Sequence, residues 1–220
     1  MRTVYCISGL GADERVFKNL SVQGAKFKFI NWLSPEPGET LSSYAARMSG
    51  AVQEKNPVLC GLSFGGMMAL EISRIIPVSK LILISSIKSE KELPLWMKTC
   101  GLLRLQKALP SQPLHKFKAL KAIRPVQNYF LGAKTEEEKR MANEYRDTVD
   151  PFYLKWSLNH VLNYSNQWLP PEWIHIHGTD DHIFPIRNIK PTHVIEGGGH
   201  FMIMNKSEQI NRILEENICR

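Results

Sequence analysis

The sequence lacks any apolar run near the roughly 20 residues that a bilayer-spanning helix needs, and its longest uncharged apolar stretches are only strand-sized. An integral membrane protein is therefore not expected. Cysteine is scarce: Cys6, Cys60, Cys100 and Cys219 are scattered with no C-x-x-C pair. That spacing speaks against a redox or metal role and predicts reduced, buried thiols, Cys6 and Cys60 lying in strand-like apolar runs. No G-x-G-x-x-G occupies a strand-to-helix turn, since Gly9 and Gly11 have no third glycine in place. Dinucleotide binding is set aside on that ground, and no cofactor is expected. Internal repeats and low-complexity tracts are also missing. The N-terminal MRTVYCISGLG runs from an apolar stretch too short for a signal-peptide core straight into a glycine loop, so a cytoplasmic location is the expectation.

Negative charge is lacking in one place. Between Glu92 and Glu136 there is no acidic residue, while Lys98, Arg104, Lys107, Lys116, Lys118, Lys121, Arg124 and Lys134 all occur, within a chain whose formal net charge is +7. Such a segment is either a solvated helical face or a positive surface that steers anionic substrates or touches acidic lipid. Nucleic acid is not expected, because no recognition motif accompanies the charge.

What remains is ordinary globular material: 220 residues, 43% hydrophobic and 22% charged, enough for one well-packed core. Residues 2–8, 26–31, 57–62, 79–85, 172–177 and 191–196 read as short strands bounded by Gly, Pro or polar clusters. Helical spacing of apolar residues recurs over 40–55, 64–76 and 207–218. Strands alternating with helices predict an α/β fold, a mostly parallel sheet covered on both faces, with ligands bound at the carboxyl ends of the strands. Residues 86–170 break the alternation, holding no convincing strand over a length too great for a loop. Thr135-x-x-Glu138 has the form of a capping box, and Asp150-Pro151 that of an N-cap followed by a first-turn proline. The expected organisation is a core of residues 1–85 and 171–220 with a helical lid, residues 86–170, inserted between them. Within that lid, Phe152, Trp156, His160 and Tyr164 recur every four residues, a spacing that suits packing against neighbouring helices or contact with substrate. Trp96, Trp156 and His160 are the candidate pocket residues.

The chemistry is concentrated in three segments. Residues 58–66, VLCGLSFGG, place Gly61-Leu62-Ser63-Phe64-Gly65 between a strand and a helix, the setting of a G-x-S-x-G nucleophile elbow. The pattern alone is weak, because at about 7% Gly and Ser roughly one chain in fifteen of this length would carry it by chance; its strand-turn-helix setting is what gives it weight. A serine hydroxyl needs an adjacent base to act as a nucleophile. His200 follows Gly197-Gly198-Gly199 after the final strand, and Asp180 and Asp181 follow the strand ending at His177, where a carboxylate could accept a bond from the imidazole and stabilise its cation. The chain order Ser, Asp, His is that of α/β-hydrolases. An oxyanion formed at such a site needs two N–H donors; the backbone of Phe64 and that of Leu10, in the glycine loop after the first strand, are the candidates. His175-Ile176-His177 with Asp180, Asp181 and His182 superficially resembles a metal motif, but two extra residues spoil its spacing, and no metal is expected.

With elbow, acid loop, histidine loop and oxyanion loop in this order, the chain resembles the α/β-hydrolase superfamily over roughly residues 1–85 and 171–220. The resemblance implies a three-layer α/β-hydrolase fold. It also selects Asp181 over Asp180, because the family pattern G-x-x-D-x-x-(V/F)-P puts the aspartate three after the glycine and four before the proline. Two departures stand out. The oxyanion loop carries Ser8-Gly9 where relatives often have His-Gly, and it begins at residue 8, whereas the family sheet usually begins with two strands before it. A shortened sheet of six strands is therefore expected, in the spatial order second, first, third, fourth, fifth, sixth. The implied activity is hydrolysis of a small-molecule carboxylic ester or thioester, the substrate anionic if the basic segment steers it, through an acyl-enzyme. The alternatives are cleavage of an amide or carbon–carbon bond, or a binding protein that keeps the scaffold without catalysis. Substrate identity, acyl length and oligomeric state are not legible.

Overall fold

A computed structural model describes residues 1–218 of the chain. Six parallel strands form the sheet: β1 (Arg2–Ile7), β2 (Ala25–Phe29), β3 (Val58–Leu62), β4 (Lys80–Ile84), β5 (Trp173–Gly178) and β6 (His193–Ile195). Their spatial order is β2-β1-β3-β4-β5-β6, as the sequence predicts, and every adjacent pair is parallel. Cys6 stands opposite Cys60 across the β1–β3 pair. Both thiols are buried, whereas Cys100 is half-buried; Cys219 lies outside the described residues.

Period-two alternation sends successive side chains to opposite faces. Val4 and Cys6 of β1, Cys60 of β3 and Ile174 and Ile176 of β5 pack on one face against α8 (Met202–Asn205) and α9 (Ser207–Ile218), through Met202, Ile210 and Leu214. Tyr5, Ile7, Leu59, Leu81 and Leu83 face the other way, onto α1 (Leu41–Ser49) and α2 (Phe64–Ile75), where they meet Tyr44, Met48, Met67 and Leu70. The central strands are apolar on both sides because both sides are covered. Helix α1 is shorter than its spacing over 40–55 predicts. Its C-cap is Gly50, and a turn takes the chain through Asn56 at φ 51° into β3.

Residues 86–170 contain helices and no strand. They comprise α3 (Leu95–Leu102), α4 (Lys118–Ala122), α5 (Arg124–Leu131), α6 (Glu136–Thr148) and α7 (Pro151–Leu162). Thr135 caps α6 in a reciprocal box with Glu138, and the Asp150 carboxylate accepts the Tyr153 N–H at the start of α7, so both cap signals in the sequence mark true helix starts. This helical segment is tied to loops at the carboxyl edge of the sheet. Tyr145 donates to Asp13 at 3.0 Å, Lys18 pairs with Glu137, and the carbonyl of Leu131 accepts the Phe201 N–H at 2.9 Å.

Candidate active site

Because all six strands run the same way, the segments leaving β1, β3, β5 and β6 emerge at one edge. Ser63 is the first residue after β3 and the last before α2, and it sits at φ 53°, ψ −120°. That conformation is costly for a residue with a Cβ. Steric demand on either side of the turn is met by glycine: a Cβ on Gly61 would collide with the carbonyl of Gly65, and one on Gly65 with the carbonyls of Ile7 and Ser8. The turn is further held by the Ser63 N–H donating to Ile84 O at 2.9 Å and by Ser86 Oγ donating to Ser63 O at 2.7 Å.

The acid and histidine loops are laced together. Asp180 N–H donates to Gly198 O at 2.9 Å, Thr179 N–H to Ile195 O at 3.1 Å, and Gly197 N–H to Thr179 Oγ at 2.9 Å. A Cβ on Gly178 would overlap Gly198, so the two loops approach to backbone contact only because both positions are glycine. This places His200 between Ser63 and Asp181, with Nε2 2.8 Å from Ser63 Oγ and Nδ1 2.8 Å from Asp181 Oδ2. Asp181 is 2% exposed and His200 5%. The second carboxylate oxygen of Asp181 accepts the N–H groups of Ile183 at 2.9 Å and Phe184 at 2.8 Å. Burial pushes the Asp181 carboxyl up, but the charge and hydrogen bond of His200, the neighbouring His177 and the Phe184 N–H outweigh it and hold the group below its ordinary value. Asp180 is oriented elsewhere, its Oδ1 accepting from Thr179 Oγ at 3.1 Å.

Gly9 lies beside the serine: a Cβ added to it would stand 3.4 Å from Ser63 Cβ. The loop it belongs to is held by Ser8, whose hydroxyl donates to Ala12 O at 2.6 Å and accepts from Trp32 Nε1 at 3.0 Å. Ser8 thus tethers this loop locally. Phe64 opens α2, and the N–H groups of a first helical turn have no intrahelical acceptor. Its ring stacks on Trp32 at 5.2 Å and meets Trp156 edge-on at 6.2 Å.

Trp156 and His160 both turn a ring nitrogen toward the carbonyl of Glu39, at 2.8 and 3.3 Å. Their polar atoms bind α7 to the loop before α1, and burial lowers the His160 pKa. Trp96 lies on the outer face of α3 and is 53% exposed. Of the histidines in the metal-like run, His175 and His177 engage each other and main-chain oxygen, His177 Nδ1 lying 3.3 Å from His175 Nε2 and His177 Nε2 2.8 Å from Phe184 O, while His182 stacks on Tyr129. Sequence reasoning missed Ser8, Ser86, His177 and Lys88 as neighbours that hold the site. Ser86 had a visible signal, a polar residue at the end of an apolar strand; the others become legible only in three dimensions.

A model of the alpha/beta hydrolase family matches residues 5–213. No curated protein sequence matches the chain. Among solved structures, it resembles a thermophilic esterase at 20% identity (TM-score 0.70, covering 98% of this chain and 89% of that one). It is similar to a thermophilic esterase from Thermogutta terrifontis with malate bound, at 17% identity with the same TM-score and coverage. A hydrolase from Oleispira antarctica matches at 14% identity and TM-score 0.68, over 98% of this chain and 90% of its own. With the family model spanning nearly the whole chain and the sheet in the order described, the chain belongs to the alpha/beta hydrolase family.

Proposed function

We propose that the chain is a serine hydrolase that cleaves a carboxylic ester or thioester through an acyl-enzyme. The observation that carries this reading is the continuous line Ser63 Oγ, His200, Asp181 with both contacts at 2.8 Å. Ser63 Oγ attacks the acyl carbon while its proton passes to His200 Nε2, and the Asp181 carboxylate stabilises the imidazolium through Nδ1–H. The oxyanion of the tetrahedral intermediate accepts from the Phe64 N–H and the Leu10 N–H, one such donor contributing about 3 kcal/mol at the transition state. Collapse expels the alcohol or thiol, protonated by His200, and leaves Ser63 acylated. Water, deprotonated by the same imidazole, then attacks the ester, and Ser63 recovers its proton as the acid departs. Residues 86–170 act as a lid, with Trp156 and His160 of α7 as its candidate pocket residues.

The test is covalent. A fluorophosphonate probe should label the native chain at Ser63 and should fail to label Ser63→Ala, whose turnover of p-nitrophenyl esters should fall by up to roughly a million-fold. Esters of graded acyl length would measure the pocket in the same assay. A folded native chain that neither labels nor turns over any ester in the series would instead fit a binding protein on this scaffold.

A further inference from the structure

Asp181 has a second imidazole neighbour. His177 Nε2 lies 3.4 Å from Asp181 Oδ2, the oxygen that also faces His200. Behind His177 runs a buried line of polar contacts: His177 Nδ1 to His175 Nε2 at 3.3 Å, then His175 Nδ1 to Lys88 Nζ at 3.1 Å. Lys88 Nζ also donates to Lys190 O at 3.1 Å and pairs with Glu92. Glu92 Oε2 in turn accepts the Lys88 N–H at 2.7 Å. His175 and His177 are 0% exposed, Lys88 9% and Glu92 6%. Two histidines at alternate positions of β5 share the face opposite Ile174 and Ile176, which is why they can touch.

Both ends of this line dictate where its protons lie. Phe184 O can only accept, so His177 Nε2, 2.8 Å away, must carry the hydrogen and His177 Nδ1 must accept. The Lys88 ammonium can only donate, so His175 Nδ1 accepts and His175 Nε2 carries the hydrogen. The two requirements meet without conflict between the rings, His175 Nε2–H donating to His177 Nδ1. A proton added to either imidazole would set two N–H groups, or an N–H and an ammonium, against each other.

We propose that His177 is a positioning residue for Asp181, and that His175 and Lys88 lock it as the neutral Nε2–H tautomer, so that Asp181 keeps its charge for His200 alone. The proposal rests on the hydrolytic reading of the site for its kinetic consequence, though not for the tautomers themselves. In the absence of such a lock, a protonated His177 would compete with the His200 imidazolium for one carboxylate oxygen.

Nitrogen NMR of the histidine rings and steady-state kinetics test the two halves. At neutral pH, the native chain should show His175 and His177 neutral with the hydrogen on Nε2. His177→Leu should lower kcat for a p-nitrophenyl ester by about tenfold to a hundredfold with little change in KM, because a misplaced acid spoils the transition state more than binding. His177→Gln, whose amide can present an N–H near the position of Nε2, should restore most of that loss; simple loss of packing would not distinguish the two variants in this way. In Lys88→Gln, where an amide replaces the donor-only ammonium facing His175 Nδ1, the nitrogen signals should show His175 no longer held wholly as the Nε2–H tautomer. A native His177 carrying its hydrogen on Nδ1 overturns the proposal while leaving Ser63 labelling untouched, as does a folded His177→Leu with native kcat. Native tautomers as assigned, combined with no labelling of Ser63, would overturn the hydrolytic reading instead.

Discussion

Asp180 and Asp181 are adjacent and chemically identical, yet the fold gives them different surroundings. Asp181 spends one oxygen on the N–H groups of Ile183 and Phe184 and turns the other to His200. Asp180 answers Thr179 and helps join the acid and histidine loops through its N–H. Under the proposed mechanism, Asp181→Asn should lower kcat by about ten-thousand-fold, since an amide favours the wrong imidazole tautomer and cannot stabilise the cation. Asp180→Asn should leave kcat close to native. Steady-state kinetics of the two variants decide the matter, and the opposite ranking would transfer the acid role to Asp180.

At the scale of the element, β5 carries a burden unusual for a central strand. Its outward residues on one face are Ile174 and Ile176, ordinary core, but the other face holds His175 and His177. Burial, then the nearby Lys88 charge, push the His175 pKa well below its ordinary value, and burial lowers that of His177 despite the opposing pull of Asp181. In the unfolded chain both rings bind protons near pH 6.5. The folded chain binds fewer protons there, so stability is fully present above about 6.5 and falls as the pH drops toward the depressed folded values. The urea midpoint should therefore decline from about pH 7.5 to about pH 5.5. His175→Gln, with one titrating ring fewer, should show a shallower decline. An equal slope in that variant would place the protons elsewhere.

At the scale of the molecule, charge and apolar surface coincide on the helical segment. Leu95, Trp96, Leu102, Leu103 and Leu105 are all at least half exposed there, in the stretch that carries Lys98, Arg104 and Lys107 and no acid. Among the described residues, no helix is long and apolar enough to cross a membrane. If this surface guides substrate, added salt should lower kcat/KM for an anionic ester more steeply than for a neutral ester of the same length, because screening acts on the charged encounter. Equal salt dependence would make the basic face a solvated one.

The strand order was implied by the resemblance to the α/β-hydrolase superfamily, whereas the parallel sheet, the absence of strands over 86–170 and the caps at Thr135 and Asp150 were readable in the chain itself. Each follows from local causes: alternation of apolar residues, the need of parallel strands for long crossovers, and side chains that bond their own backbone. The triad candidates were readable too, since a glycine pattern and a chain order mark loops that a parallel sheet must bring to one edge. Neither Ser8 as the tether of the first loop nor the line from Lys88 to Asp181 could be read that way. His175, His177 and Asp181 are close in the chain, but Lys88 lies on a separate segment beyond β4, and its meeting with His175 depends on how that segment packs against β5 and on the depth of burial. Those are properties of packed side chains, fixed only when the whole sheet closes around them.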